Sequence, residues 1–257
     1  MVHTLGSYSL SEIKHSTLII PSIAMGNIPQ LTVDLLIHTL SFTKIAILDD
    51  TYLHPFSSPN DFSELVDATV TAKYGIANPL EVYYSAKDNL TLIQQRSPII
   101  NNFTEIFVDS VIYKFIEEQE FSKIILLDSS DAGLLENLTS ENKVEIFTNE
   151  DLMYKSLESL KISNKSEPQS LASNDPYKYT KYIQQLIKAL RPTKIELDVL
   201  VSHVYEGDNF NDAELLADQL VSRLETKDYK KWVRPISWSG AYGDKPVPNA
   251  MEQGLYG

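Results

Sequence analysis

Carboxylates are the commonest reactive groups in this sequence, and they recur where apolar runs stop. Asp49-Asp50 closes the run from Lys44 to Leu48, Asp128 and Asp131 follow Lys123 to Leu127, and Glu206 and Asp208 follow the segment from Glu196 to Tyr205. At the carboxyl ends of parallel strands, such groups can hold a divalent metal or a ribose hydroxyl. A chain with 35 acidic residues also needs many of them simply to turn loops and start helices. The five histidines (His3, His15, His38, His54 and His203) include no pair at the spacing of a helical metal site. Gly26-Asn27 sits where a dinucleotide-binding turn belongs, yet only one of the three required glycines is present, so it reads as an ordinary strand-to-helix turn. There is no Walker-type phosphate loop and no G-x-S-x-G turn to raise a serine nucleophile.

The sharpest chemical signal is the final triplet, Leu255-Tyr256-Gly257. A hydrophobic residue, a tyrosine and a last residue with a free carboxylate make the HbYX pattern. The carboxylate is a charge-assisted partner for a lysine at the bottom of a pocket. The tyrosine supplies a rigid amphipathic ring, and the leucine adds apolar area. Gly240, Gly243, Pro246, Pro248 and Gly254 precede it, which predicts a packed domain over 1–239 and a flexible tail over 240–257. A tail of about 17 residues reaches at most ~60 Å when extended.

Composition narrows the remaining classes. The net charge of −13 lacks the basic footprint of a nucleic-acid or anionic-membrane surface. Zero cysteines exclude a disulfide scaffold, a thiolate metal site and a cysteine nucleophile. The apolar run from Leu18 to Met25 is broken by Pro21 and Ser22 and is far shorter than the roughly 18 residues of a membrane span. No basic region and cleavage site open the chain, so the sequons at Asn89, Asn102, Asn137 and Asn164 read as chance. The expected location is the cytoplasm, with the nucleus open as a second.

The elements that must position these groups alternate between strand-like and helix-like. Leu18 to Ala24 reads as a buried strand, Asn27 as the cap of a helix over 28–40 that is apolar nearly all round, and Lys44 to Leu48 as a second strand. This βαβ pattern predicts parallel strands. Glu81 to Ser85 and Leu90 to Gln94 flank Lys87-Asp88-Asn89 as a hairpin. Phe103, Ile106, Phe107, Val111 and Phe115 share helical spacing, Lys123 to Leu127 and Val144 to Phe147 are strands, and 150–160 is a short helix. The polar, Ser/Asn/Pro-rich stretch 161–179 reads as a flexible insertion. A helix over 180–190 and a strand from Glu196 to Tyr205 follow, and Asn211 to Glu214 resembles a capping box opening a helix with the stripe Ala213, Leu216, Leu220 and Leu224. Together they predict an α/β fold: one three-layer domain with a mostly parallel central sheet flanked by helices.

Three blocks, in order, resemble the proteasome assembly chaperone 2 family, with the complete terminal triplet suiting a fungal-type member. They are Pro21 to Leu36 (PSIAMGNIPQLTVDLL), Glu206-Gly207-Asp208-Asn209 with Asp212-Ala213, and Trp232, Pro235, Ser237 and Trp238. The resemblance implies a non-enzyme without cofactor or metal that forms a heterodimer with proteasome assembly chaperone 1. It implies that the pair binds the outer face of the proteasome α-ring during core-particle assembly. It also implies that Leu255, Tyr256 and Gly257 enter a pocket between adjacent α-subunits and block premature binding of regulatory particles. The early block would then be core or dimer interface. The competing expectation is a doubly wound α/β enzyme, or a nucleotide- or metal-binding protein, using strand-end acids such as Asp128, Asp131 and Asp208.

Overall fold

A computed structural model describes residues 2–5, 9–40, 42–61, 75–135, 137–139, 143–152, 179–224 and 231–239. The strands are β1 (His3–Thr4), β2 (Thr17–Pro21), β3 (Thr43–Ile47), β4 (Ser58–Pro59), β5 (Ile76–Ala77), β6 (Leu80–Ser85), β7 (Leu90–Gln95), β8 (Lys123–Asp131), β9 (Val144–Thr148) and β10 (Glu196–Val204). Eight of them form one sheet in the order β1-β3-β6-β7-β2-β8-β10-β9, and β4 pairs with β5 apart from it. β2 is parallel to β7 and β8, and β8 is parallel to β10 through nine register pairs, Glu196 opposite Lys123 to Val204 opposite Asp131. The β1–β3, β3–β6, β6–β7 and β9–β10 pairings are antiparallel. Thus β2, β3, β7, β8 and β10 share one direction, and β1, β6 and β9 oppose it.

The expected βαβ unit is present with one difference. β3 runs in the direction of β2, but the β6–β7 hairpin lies between them. That hairpin is buried along both strands, all twelve residues of it. It therefore competes for the central position that the intensely apolar β2 would otherwise offer to β3.

Helices cover both faces, and strand alternation sorts the core between them. One face takes Leu18 and Ile20 of β2, Ile124 and Leu126 of β8, and Val199 and Val201 of β10. Against it lie α2, a continuous helix of three stretches (Thr104–Phe107, Val108–Tyr113 and Lys114–Gln119), and α3 (Lys181–Leu190). The opposite face takes Ile19, Ile125, Leu127, Leu200 and Val204, covered by α1 (Ile28–Thr39) and α4 (Phe210–Arg223). α1 packs on the sheet over β2, β7 and β8 and along its flank on α4, which itself lies over β9 and β10, and these two contacts explain its apolar character on more than one side.

The middle of α2 is a π-helix, and the sequence shows why. Its buried positions, Phe107-Val108, Val111-Ile112 and Phe115-Ile116, repeat every four residues. An α-helix turns about 100° per residue, so a repeat of four drifts about 40° per step off the core. The wider π stretch cancels that drift and keeps all three pairs inward. The single stripe expected over 103–115 is thereby split: Phe107, Val111 and Phe115 are buried, whereas Phe103 and Ile106 are exposed.

Two expected caps are replaced. Asn27 precedes α1 but is left-handed (φ 53°, ψ 22°), and its side chain makes no capping bond. The capping box at Asn211 does not form, because α4 starts at Phe210. Asn211 and Glu214 instead accept from Arg234 Nη2 at 3.0 Å and Nε at 2.8 Å. Thr180 does cap α3, its hydroxyl accepting from Ile183 N. Of the helix expected over 150–160, only the part up to Leu152 is among the described residues, and the insertion expected at 161–179 is outside them but for Tyr179.

Candidate partner-binding site

The three sequence blocks that stand far apart in the chain meet at one side of the domain. The turn after β2 is held by the end of β8: Ser22 Oγ donates to Asp128 Oδ1 at 2.6 Å, and Ser129 Oγ donates to the Met25 carbonyl at 2.6 Å. Gly26 (φ 63°) and Asn27 then adopt consecutive left-handed conformations. The turn abuts the loop after β10. A Cβ on Gly26 would lie 2.2 Å from the amide end of buried Asn209 and 2.9 Å from its Cγ. That amide, oriented to satisfy its neighbours, donates to Asp212 Oδ2 at 3.1 Å and the Tyr205 carbonyl at 2.9 Å. α1 joins α4 through Thr32 Oγ1, which donates to the Ala213 carbonyl at 3.1 Å.

The aromatic block straps over both helices. Trp232 Nε1 donates to Asp218 at 2.8 Å, and Val233 N donates to Thr39 Oγ1 at 2.9 Å. Trp238 stacks on Phe210, with centroids 4.4 Å apart and planes at 7°. Arg234 lies over the same Phe210 ring, 5.5 Å from its centroid. Ser237 donates through N and Oγ to Asp61. The last described residue, Ser239, is therefore anchored at the start of α4. Leu255, Tyr256 and Gly257 lie outside the described residues.

The strand-end acids do not converge on a ligand. Asp128 is fully buried and joins three elements, accepting from Ser22 on one oxygen and from Thr180 N (2.8 Å) and Oγ1 (3.3 Å) on the other. Burial pushes its carboxyl up to about 6, against the hydrogen bonds from Ser22 and Thr180, which favour the charged form. Asp131 accepts from Gly133 N at 2.8 Å, and Asp208 accepts from Phe210 N at 3.3 Å. Asp49 accepts from Thr51 N and its hydroxyl, which holds its carboxyl down at about 2. Among the described residues, no group of three or more His, Asp and Glu side chains could hold a metal ion. A cleft of about 270 Å³ opens beyond β10, lined in part by Lys143, His203, Glu206 and Asp208. Lys143 reaches Asp212 across it at 2.5 Å, and buried His203 faces Glu145 with Nε2–Oε2 of 3.6 Å.

Sequence reasoning named Gly26, Asn209 and the tryptophans as a resemblance but missed what joins them. The signals were weak: Ser22, Thr180 and Arg234 gain their roles only from residues distant in sequence. No described helix is long and apolar enough to cross a membrane.

Known proteins resemble this arrangement across the domain. Proteasome assembly chaperone 2 of Saccharomyces cerevisiae is 29% identical over 255 residues, covering 89% of this chain and 95% of that protein. The human protein of the same name is 24% identical over 259 residues, covering 93% and 96%. Among solved structures, Pyrococcus furiosus PbaA, described as an archaeal homolog of proteasome-assembly chaperone, aligns over 88% of this chain and 87% of its own, with a TM-score of 0.57 at 16% identity. Pyrococcus furiosus PbaB, described as an archaeal proteasome activator, aligns over 88% and 89%, with a TM-score of 0.59 at 12% identity. These two share the fold. The PAC2 family pattern itself matches residues 18–204, from β2 through the last strand of the sheet, and the chain belongs to the PAC2 family.

Proposed function

We propose that this chain is a proteasome core-particle assembly chaperone. The observation that carries the reading is its similarity, over nearly its whole length, to yeast and human proteins named Proteasome assembly chaperone 2. Chemistry at the strand ends is not needed for this role, and there Asp128, Asp131 and Asp208 organise turns and helix starts.

In the finer reading, the chain pairs with proteasome assembly chaperone 1, and the pair binds the outer face of the α-ring in the cytoplasm or nucleus. Leu255, Tyr256 and Gly257 dock between adjacent α-subunits, with the Gly257 carboxylate meeting a pocket lysine. Tethering to the body makes this docking effectively intramolecular, so a weak tripeptide contact multiplies affinity. A bound tail excludes regulatory particles that use the same pockets. Release follows only if maturation of the ring weakens the body contact, since equal affinity for both states shifts nothing.

The test is a pull-down with the full chain and with the chain lacking Leu255 to Gly257, followed by mass spectrometry. The reading expects the paralogous chaperone with both baits and α-subunits mainly with the full chain. Recovery of neither would overturn it.

A further inference from the structure

The two edges of the large sheet end differently. β3 is covered by β1, with His3 opposite Ile47, Thr4 opposite Ala46 and a bond from Leu5 N to the Ile45 carbonyl. β9 pairs with β10 alone, and among the described residues no strand lies along its other side. The ladder fixes which groups that side presents. His203 N donates to the Lys143 carbonyl at 2.8 Å, so the facing pairs Val201–Glu145 and Val199–Phe147 are the hydrogen-bonded ones. The backbone groups of Val144, Ile146 and Thr148 therefore point away from β10. Asp151 Oδ2 takes the Thr148 N–H at 2.8 Å, whereas no described group takes those of Val144 and Ile146.

Open edges are normally guarded by charge or proline. β9 contains no proline, and its charges are engaged elsewhere. Lys143, just before it, is held by Asp212 at 2.5 Å, and Glu145 faces His203 across 3.6 Å. Ile146, at the centre of the strand, is 36% exposed.

The strand is also self-complementary. A twofold axis at Ile146 sets Ile146 opposite its own copy, each donating to the other's carbonyl. On either side of the axis, Val144 N donates to the Thr148 carbonyl of the second copy. This register places Glu145 against Phe147 of the second copy. Pairing about Glu145 instead would set two carboxylates directly opposite each other, a destabilising arrangement. Open backbone groups alone would accept any extended strand, but a register that matches Ile146 to itself and keeps like charges apart fits a second copy.

We infer that β9 is a dimerisation edge, at which two copies of this chain join antiparallel about Ile146 into one continuous sheet. The inference concerns the chain by itself and holds or fails independently of the chaperone reading.

The test uses the purified full chain. It has no cysteine, so Ile146→Cys introduces a single thiol. Facing Cα atoms in a hydrogen-bonded antiparallel pair are about 5.5 Å apart, within reach of a disulfide. Ile146→Cys should oxidise to a covalent dimer at least roughly tenfold faster than Glu117→Cys, an exposed position on α2. In sedimentation at about 0.1 mM, well above a micromolar dissociation constant, the wild type should be a dimer. That dimer should tighten in about 0.5 M salt, because screening relieves the repulsion between two chains of net charge −13. Ile146→Lys sets two ammonium groups face to face across the axis and should sediment as a monomer at an unchanged unfolding midpoint. If its midpoint falls, the oxidation rates alone decide. Equal oxidation at the two sites, a wild type that stays monomeric, or a stably folded Ile146→Lys that still dimerises would overturn the edge.

Discussion

Gly26 lies flush against Asn209, so the turn that opens α1 and the loop that opens α4 leave no room for a side chain between them. Two of the sequence blocks that carry the resemblance thus form one contact. Gly26→Ala places an L-residue in a left-handed conformation, at roughly 1–2 kcal/mol, and overpacks Asn209, at roughly 1–3 kcal/mol. Chemical denaturation should show a loss of about 2–5 kcal/mol. Measured against an Asn209→Ala background, the cost of Gly26→Ala should shrink by the overpacking share, so an equal cost in both backgrounds would contradict the contact.

Asp128 gives the domain a pH signature of unusual sign. Its carboxyl is pushed up to about 6 by burial, whereas in the unfolded chain it titrates near about 3.9. Between those values the unfolded state releases a proton that the folded state keeps. The contribution of Asp128 is therefore fully present below about pH 4 and lost as pH rises through about 6, a change of about 3 kcal/mol. Asp128→Asn removes that dependence and can still accept from Ser22 through its one carbonyl oxygen. Urea titrations at pH 4 and pH 7 should show the wild-type-minus-variant difference moving toward the variant at the higher pH. A difference independent of pH would contradict this assignment.

The aromatic strap should couple the chain's last described segment to α4. Trp238→Ala removes a nearly buried ring stacked on Phe210 and should cost about 3 kcal/mol or somewhat more. Trp232→Phe keeps most of the ring but loses the bond to Asp218, for about 1–2 kcal/mol. Both are read from denaturation midpoints. Fluorescence from Trp238 should report release of the strap if it opens before the domain unfolds.

Legibility in the sequence followed locality. β2 and β8 announce themselves as apolar runs because both sheet faces are covered, β10 shows as a partly alternating strand, and α1 is apolar nearly all round because it packs on both the sheet and α4. The hairpin was equally visible, but its insertion between β2 and β3 depends on which strands win the central positions, a competition no local pattern records. The cap at Asn211 failed because α4 already begins at Phe210, and Arg234, far along the chain, takes up both Asn211 and Glu214. The α2 stripe was misread because a repeat of four fits neither a strand nor an α-helix, and only the π stretch reconciles it. For the docking triplet, residue types and order carry all the information, since it lies outside the described residues.

The central claim is that this chain holds unfinished core particles and keeps regulatory particles off them. It is tested most directly by capturing complexes on the tagged full-length chain and resolving them by native mass spectrometry, beside the Tyr256→Ala variant. The account predicts α-subunits with the paralogous chaperone and without regulatory-particle subunits, at a yield reduced roughly tenfold for Tyr256→Ala at an unchanged unfolding midpoint. Complexes carrying regulatory particles in equal amount, or a variant that captures α-subunits as well as the wild type, would contradict it.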